Sequence, residues 1–324
     1  MRRRDFIKLI AGSAAAWPLA ARAQRAKVLE IGSLYPGADA GVPLRVAALL
    51  SGMEAAGLRA DQVAFVPRGS GGDANKLAAM ASDLVKRKVD LILVESPPAE
   101  RALQAATTTI PIVVGDLESD PVADKFVASI THPGGNLTGV FLDFPDFSKK
   151  WLEFLKEMLP QLANVAVFWD PTTVKGQLDA VKSAADVLRL IIDTIEIRDI
   201  ADAEAAFSTA EQKGAGAVIL LPRPFIGSHT KTLADLALAH HLPAITLFTD
   251  FARDGGLMAY GPNLLAFLRQ QGVMAGKILQ GATPADLPVE APTKFEFVLN
   301  LKTAKQLNVK VPPSILLRAD EVIE

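Results

Sequence analysis

From position 27 onward, short β-branched runs alternate with segments whose apolar residues recur every three or four positions. Lys27–Ser33 and Val63–Pro67 read as strands, with a helix over Val42–Ala56 between them. Asp73 can cap the next helix, whose face carries Leu77, Met80, Leu84 and Val85 ahead of a strand over Val89–Val94. Ser96-Pro97-Pro98 places a hydroxyl and then proline at a helix start, and the strand Ile110–Val114 follows. A cluster of turn residues at Thr131–Asn136 interrupts the rhythm, which then restarts. The second series runs through helix Ser148–Leu159, strand Val165–Trp169, and a stripe of Leu178, Val181, Ala185 and Leu188. Strand Ile191–Ile195, helix Ala201–Lys213, strand Ala217–Leu221, helix Ser228–His240 and strand Ala244–Phe248 complete it. Repeated βαβ units predict parallel sheets covered by helices on both faces, and two such series predict two similar lobes. Gly255–Pro262 reads as a turn, a strand and a stop. A helix over Asn263–Leu279 and a strand over Phe295–Asn300 come too late to belong simply to the preceding lobe.

The first residues break this pattern. Arg2, Arg3, Arg4 and Lys8 precede an apolar run from Leu9 to Leu19, and Ala21-Arg22-Ala23 precedes Gln24. That order is the layout of a secretory signal peptide spanning 1–23 with cleavage after Ala23, and the run is shorter than the ~20 residues of a membrane span. Arg3-Arg4 ahead of Phe6-Ile7 also fits the twin-arginine export signal, with an ordinary secretory signal as the alternative. Export to the periplasm is the expectation. The chain has no cysteine, which excludes disulfides, thiolate chemistry and a lipid-bearing cysteine. Without the leader, 29 basic residues face 35 acidic ones, a balance unsuited to nucleic acid or anionic lipid. No later stretch is apolar enough to insert in a membrane, and about 300 residues are more than one core usually serves.

His132-Pro133-Gly134-Gly135-Asn136-Leu137-Thr138-Gly139-Val140, Lys150–Lys156 (KWLEFLK), Gly255–Pro262 (GGLMAYGP), Ala285–Glu290 (ADLPVE) and Pro292–Ala304 (PTKFEFVLNLKTA) follow one another in this order. By these motifs the chain resembles the ABC-transporter substrate-binding proteins of periplasmic-binding-protein type I, in the branch with predicted tryptophan- and tyrosine-binding members. The resemblance implies two Rossmann-like lobes with parallel-sheet cores joined by three crossovers, closing on a small solute and delivering it to an ABC permease. It places the crossovers near 139–142, 260–262 and 290–293, which divides the chain into 27–141 plus 261–290 and 142–260 plus 291–324. It implies no cofactor and a monomer, and an amino-acid-like or aromatic ligand.

In parallel α/β sheets, ligands sit beyond the carboxyl ends of the strands, where helix N-termini offer free N–H groups. That rule selects Ser33, Tyr35, Arg68–Gly72, Ser96, Gly115 and Asp116 on the first lobe. On the second it selects Asp170, the loop from Pro222 through Phe225 to Ser228, and Asp250. Ser96 either presents its hydroxyl to a ligand carboxylate or caps its own helix. Asp170 either meets a ligand amine or caps the following helix; the family often has asparagine there, which leaves the ligand's charge open. Tyr35 and Phe225 can sandwich a flat ligand or pack their loops, and Asp116 and Asp250 are weaker candidates. Arg68–Gly72 lacks the spacing and lysine of a phosphate-binding loop, so a place on the cleft rim is expected.

An exported enzyme is the competing class, and a ligand-sensing subunit that docks on a receptor is a third. Only four histidines are present, His240 and His241 are adjacent on a helix and cannot chelate one ion from one face, and neither a G-x-S-x-G elbow nor an H-E-x-x-H motif occurs. No metal site is expected.

Overall fold

The structure, a computed structural model, describes residues 28–35, 43–71, 73–142, 144–171 and 175–324. The leader at 1–23 lies outside them. Strands β1 (Leu29–Tyr35), β2 (Val63–Gly69), β3 (Leu91–Val94), β4 (Ile112–Asp116) and β5 (Leu137–Phe141) form one parallel sheet in the order β2-β1-β3-β4-β5. Every residue of β3, β4 and β5 is buried, as expected of strands covered on both faces. Helices α1 (Pro43–Ala55), α2 (Leu77–Arg87) and α3 (Pro97–Ala106) connect them. β5 is a strand that the sequence reading assigned to a crossover. It fits because Gly139 lies against β4, where a Cβ would stand 2.3 Å from the Val114 carbonyl oxygen.

The second sheet holds β6 (Asn164–Trp169), β7 (Ile191–Glu196), β8 (Ala217–Leu220), β9 (Ala244–Thr246), β10 (Met258–Pro262), β11 (Phe295–Asn300) and β12 (Glu321–Ile323), in the order β12-β11-β10-β9-β8-β6-β7. Its helices begin with α4 (Phe144–Met158), α5 (Gly176–Leu188), α6 (Ala203–Gln212), α7 (Pro224–Ser228), α8 (Thr230–Ala239) and α9 (Thr249–Arg253). The sheet departs from pure parallel order at one place, where β11 runs antiparallel to β10. The cause is the route of the chain. It leaves the end of β10, forms α10 (Leu264–Leu279) against the first lobe, and returns at the same end of the sheet, so β11 must run the opposite way.

α10 is seated on α1 through small residues. A Cβ on Gly52 would lie 2.0 Å from the Arg269 carbonyl oxygen, and one on Gly272 would lie 2.1 Å from that of Leu49, so the two backbones approach as only glycine permits. Asn263 starts α10 by accepting the Ala266 N–H at 2.7 Å. Near the return point Glu290 pairs with β5, its N–H donating to Gly139 O (3.0 Å) and its carbonyl accepting from Phe141 N–H (2.9 Å). Two apolar cores fill the first lobe, one on each face of its sheet, and two more fill the second. Leu117, just past β4, packs against a core of each lobe.

Candidate functional site

A cleft of about 610 Å³ opens between the lobes at the carboxyl ends of β1, β3, β4, β8, β9 and β10. It sits where open α/β sheets place ligands, because the loops there diverge to either side of the strand at which chain order reverses.

On the first lobe, β3 ends at Val94 and the chain turns through Glu95 and Ser96 into α3. Ser96 has φ 146° and ψ 146°, a region that side chains rarely adopt. It occupies the N-cap position, yet its hydroxyl caps nothing and is buried without a hydrogen-bond partner. Pro98 has no N–H to give at the second helical position, and at φ 146° Ser96 is outside the extended geometry from which an N-cap oxygen reaches the third, Ala99. Glu95 pairs with Arg45 from α1, and that guanidinium also lies 4.8 Å from the centre of the Tyr35 ring. Beyond β4, Asp116 Oδ1 accepts the N–H groups of Glu118 (2.6 Å) and Ser119 (3.3 Å), and the Ser119 hydroxyl lies beside the same buried carboxyl group. Gly115 is held close to α10, where a Cβ would meet Phe267 at 2.9 Å. Gln271 of the same helix donates to the carbonyls of Val94 (3.2 Å), the last residue of β3, and Val113 (3.0 Å), within β4.

On the second lobe, Arg223 follows β8. Its guanidinium donates to Asp170 Oδ2 at 2.9 Å within the lobe and to Glu118 Oε2 at 3.0 Å across the cleft. Gln177 of α5 adds a second crossing, donating to the Glu118 carbonyl at 3.1 Å. Glu118 thus joins the lobes through both its side chain and its backbone. Arg253 of α9 is held by Asp250 (3.0 Å) and Glu321 (2.8 Å), with Glu296 at 3.6 Å.

The floor is acidic and buried. Glu100 of α3 is wholly buried, and burial, reinforced by Asp116 and Glu118 and only partly offset by the Ser96 backbone N–H, pushes its pKa well above the usual carboxylate range. Burial likewise pushes Asp116 up to about 6 and Glu118 up to about 7, the latter against the pull of Arg223.

Of the residues selected from sequence, Tyr35, Ser96, Gly115, Asp116, Pro222 and Asp250 line the cleft. Asp170 lies one step behind it, bonded to Arg223. Ser33 is half-buried within β1, and Phe225 packs against the core under β8, so neither is among the lining residues. Arg68 is turned to Asp83, with hydrogen bonds of 2.9 and 2.6 Å, and does not reach the rim; Gly72 is outside the described residues. The sequence reading missed Arg45, Glu95, Glu118 and Arg253, and held Arg223 only as part of the loop 222–228. Glu118 sits two residues beyond Asp116, which the strand-end rule selected, so extending that rule by one turn would have found it.

The family described as ABC transporter substrate binding protein matches residues 39–323. This chain belongs to that family. It is 27% identical over 235 residues, 72% of this chain and 67% of the relative, to a tyrosine-binding protein of Clostridioides difficile. An ABC domain from Streptococcus pneumoniae, solved in complex with L-Trp, superposes with a TM-score of 0.83 at 26% identity over 91% of this chain and 99% of its own. The ligand-free, open structure of a substrate binding protein from Clostridium difficile gives 0.67 at 24% identity over 91% and 99% of the two chains. These relatives are substrate-binding proteins, not enzymes, and their two-lobe fold is the one described above.

Proposed function

We propose that this chain is the solute-binding component of an ABC importer, which clamps a small amino-acid-like or aromatic metabolite between its lobes and hands it to a membrane permease. The carrying observation is the bridge from Arg223 to Glu118, which spans the cleft and ties the lobes around a lined volume of about 610 Å³. A solute that contacts both walls favours the closed arrangement by its differential affinity, and a permease can then tell loaded from empty carrier. The tyrosine-binding relative and the L-Trp complex support a ligand with an aromatic body. Leu247, Phe248, Leu264, Leu265 and Phe267 give the cleft an apolar side on which such a body can rest. Secretion by the leader at 1–23 would put the carrier in the periplasm. Among the described residues no helix is long and apolar enough to cross a membrane.

Titration of the purified protein with amino acids, aromatic acids and short peptides tests this reading. Trp169, next to Asp170, supplies the fluorescence signal. The expected outcome is saturable one-to-one binding with the solute recovered unchanged, and stimulation of the partner permease's ATPase by the loaded form only. Turnover of the solute would sink it.

A further inference from the structure

We propose that Phe147, Tyr260 and Phe295 form a clasp that fastens the three interlobe passages of the chain into one axle, so that the lobes move by a single rotation. The three are positioning residues for closure. This rests on the carrier reading, in which the lobes close on a solute, and adds to it how that motion is guided.

The chain passes between the two lobes three times: from β5 into α4, from β10 into α10, and from the segment at Glu290 into β11. On the second-lobe side each passage carries one aromatic ring. Phe147 lies in the first turn of α4, Tyr260 near the end of β10, and Phe295 at the first position of β11. These rings meet one another. Phe147 stacks on Tyr260 with centroids 5.1 Å apart and planes 16° from parallel, Tyr260 stacks on Phe295 at 5.8 Å and 20°, and Phe147 lies 5.8 Å from Phe295 at 33°. Such contacts fix tilt as well as distance, because the ring quadrupole favours particular offsets.

Motifs that the cleft leaves unused converge at this point. In KWLEFLK, Trp151 and Phe154 follow Phe147 at helical spacing. Trp151 is buried edge-on to Phe147 at 5.0 Å, and its Nε1 donates to the Tyr260 carbonyl at 2.8 Å, one residue past the last pairing of β10 with β9. Phe154 meets Tyr260 edge-on at 5.2 Å. In FEF, alternation along β11 turns Phe295 and Phe297 to this cluster and Glu296 to the cleft. Lys150 covers the exposed side, its Nζ 5.5 and 5.9 Å from the centres of the Tyr260 and Phe295 rings and donating to the Tyr260 hydroxyl at 3.2 Å. None of the three clasp rings is among the residues lining the cleft, so they reach a solute only through the position of the lobes.

The first lobe holds the other end of each passage. Leu142 N–H donates to the Asp116 carbonyl at 3.0 Å, Glu290 pairs with β5, and Asn263 caps α10 while its own N–H donates to the Lys294 carbonyl at 2.9 Å. Short segments remain to bend, which is how hinges absorb domain motion. Three separate linkers would let the lobes shear and twist; three linkers fastened at one point leave one axis.

Because the chain has no cysteine, spin labels can be placed on introduced ones. Ala105→Cys on α3 with Ser183→Cys on α5 reports across the lobes, and Ser183→Cys with Thr232→Cys on α8 reports within the second lobe. Distances are measured by double electron–electron resonance on the full chain without added solute. Tyr260→Ala is expected to broaden the interlobe distribution by about two-fold and to leave the pair within the second lobe unchanged. Phe295→Leu, which stays apolar and loses the ring, should do the same, and it decides alone where Tyr260→Ala does not fold. Tyr260→Phe, which keeps the ring, should retain the original width. An interlobe width that Phe295→Leu or folded Tyr260→Ala leaves unchanged overturns the clasp. Equal broadening of both label pairs also overturns it, since the rings would then be ordinary core of the second lobe, as does broadening by Tyr260→Phe as large as that by Tyr260→Ala. No solute enters the measurement, so these outcomes leave the carrier reading standing; that reading fails on its own titration.

Discussion

The two walls of the cleft are built from the same kind of strand-end loop but are given opposite tasks. The first lobe presents carboxyl groups on short, tightly held turns after β3 and β4, one of them strained at Ser96. The second presents arginines, Arg223 on the loop after β8 and Arg253 on α9, each pre-paired with acids of its own lobe. Arg45 bonds Glu95 within its own lobe, whereas Arg223 reaches across to Glu118. Closure therefore depends on one guanidinium that must leave water to meet Glu118, and a pair desolvated in this way is costly to break from one side only.

That contrast is broken most severely by Arg223→Ala. It removes the cation that Glu118 and Asp170 share, and the loss of one partner of a buried pair costs about 3–5 kcal/mol. Because opening the lobes rehydrates Glu118, the larger part is expected as a shift toward the open form. Affinity for any ligand that bridges the walls should fall by about 100-fold, with a larger radius of gyration by small-angle scattering. Arg45→Ala, confined to one wall, should leave the radius unchanged; equal expansion by both variants would remove the distinction.

Ser96→Gly tests the strain on the acidic wall. Relief of a conformation that costs about 1–3 kcal/mol should outweigh the added flexibility of glycine and stabilise the ligand-free protein by about 1 kcal/mol in denaturant unfolding. Solute affinity should drop at the same time, because the hydroxyl is lost. A stability loss would mean that the strain is not relieved there.

The acidic floor also gives a pH signature. Burial raises Asp116 to about 6 and Glu118 to about 7. Both lie above their unfolded values near 4, so their contribution to stability is fully present below about pH 4 and is lost as pH rises through about 6 and then about 7. Glu100, Glu118 and Asp124 face or surround Asp116, and Arg223, Asp116 and Asp170 face Glu118. The melting temperature of the ligand-free protein should fall from about pH 5 to about pH 8 by more in the wild type than in Asp116→Asn. A melting temperature that holds level across that window, or falls equally in Asp116→Asn, would contradict this assignment.

Gln177→Ala gives the smallest effect. A neutral hydrogen bond to the Glu118 carbonyl is worth about 1 kcal/mol, so solute affinity should fall by about five-fold with little change in unfolding of either lobe. An effect as large as that of Arg223→Ala would mean that the backbone crossing, not the ion pair, controls closure.

Much of the architecture was legible along the chain. Fully buried parallel strands such as β3 and β8 appear as unbroken apolar runs, and helix faces such as Leu178, Val181 and Ala185 show their period, because burial of a face is a property of local sequence. β5 was harder, since LTGVF is short and holds a glycine whose purpose, close approach to Val114, exists only in the assembled sheet. The direction of β11 was not legible at all. It follows from where α10 docks, and that docking depends on glycines of α1 and α10 meeting across more than 200 residues of sequence.

The sequence alone thus settled which segments become strands and helices, and that strand ends such as Ser96, Asp116 and Asp250 are where a ligand would be sought. Only the tertiary structure decided which charges meet. Glu118 and Arg223 are 105 positions apart, and nothing in either neighbourhood announces the other. Periodicity records how each segment faces its core, whereas an ion pair across a cleft is fixed by how two folded bodies come together.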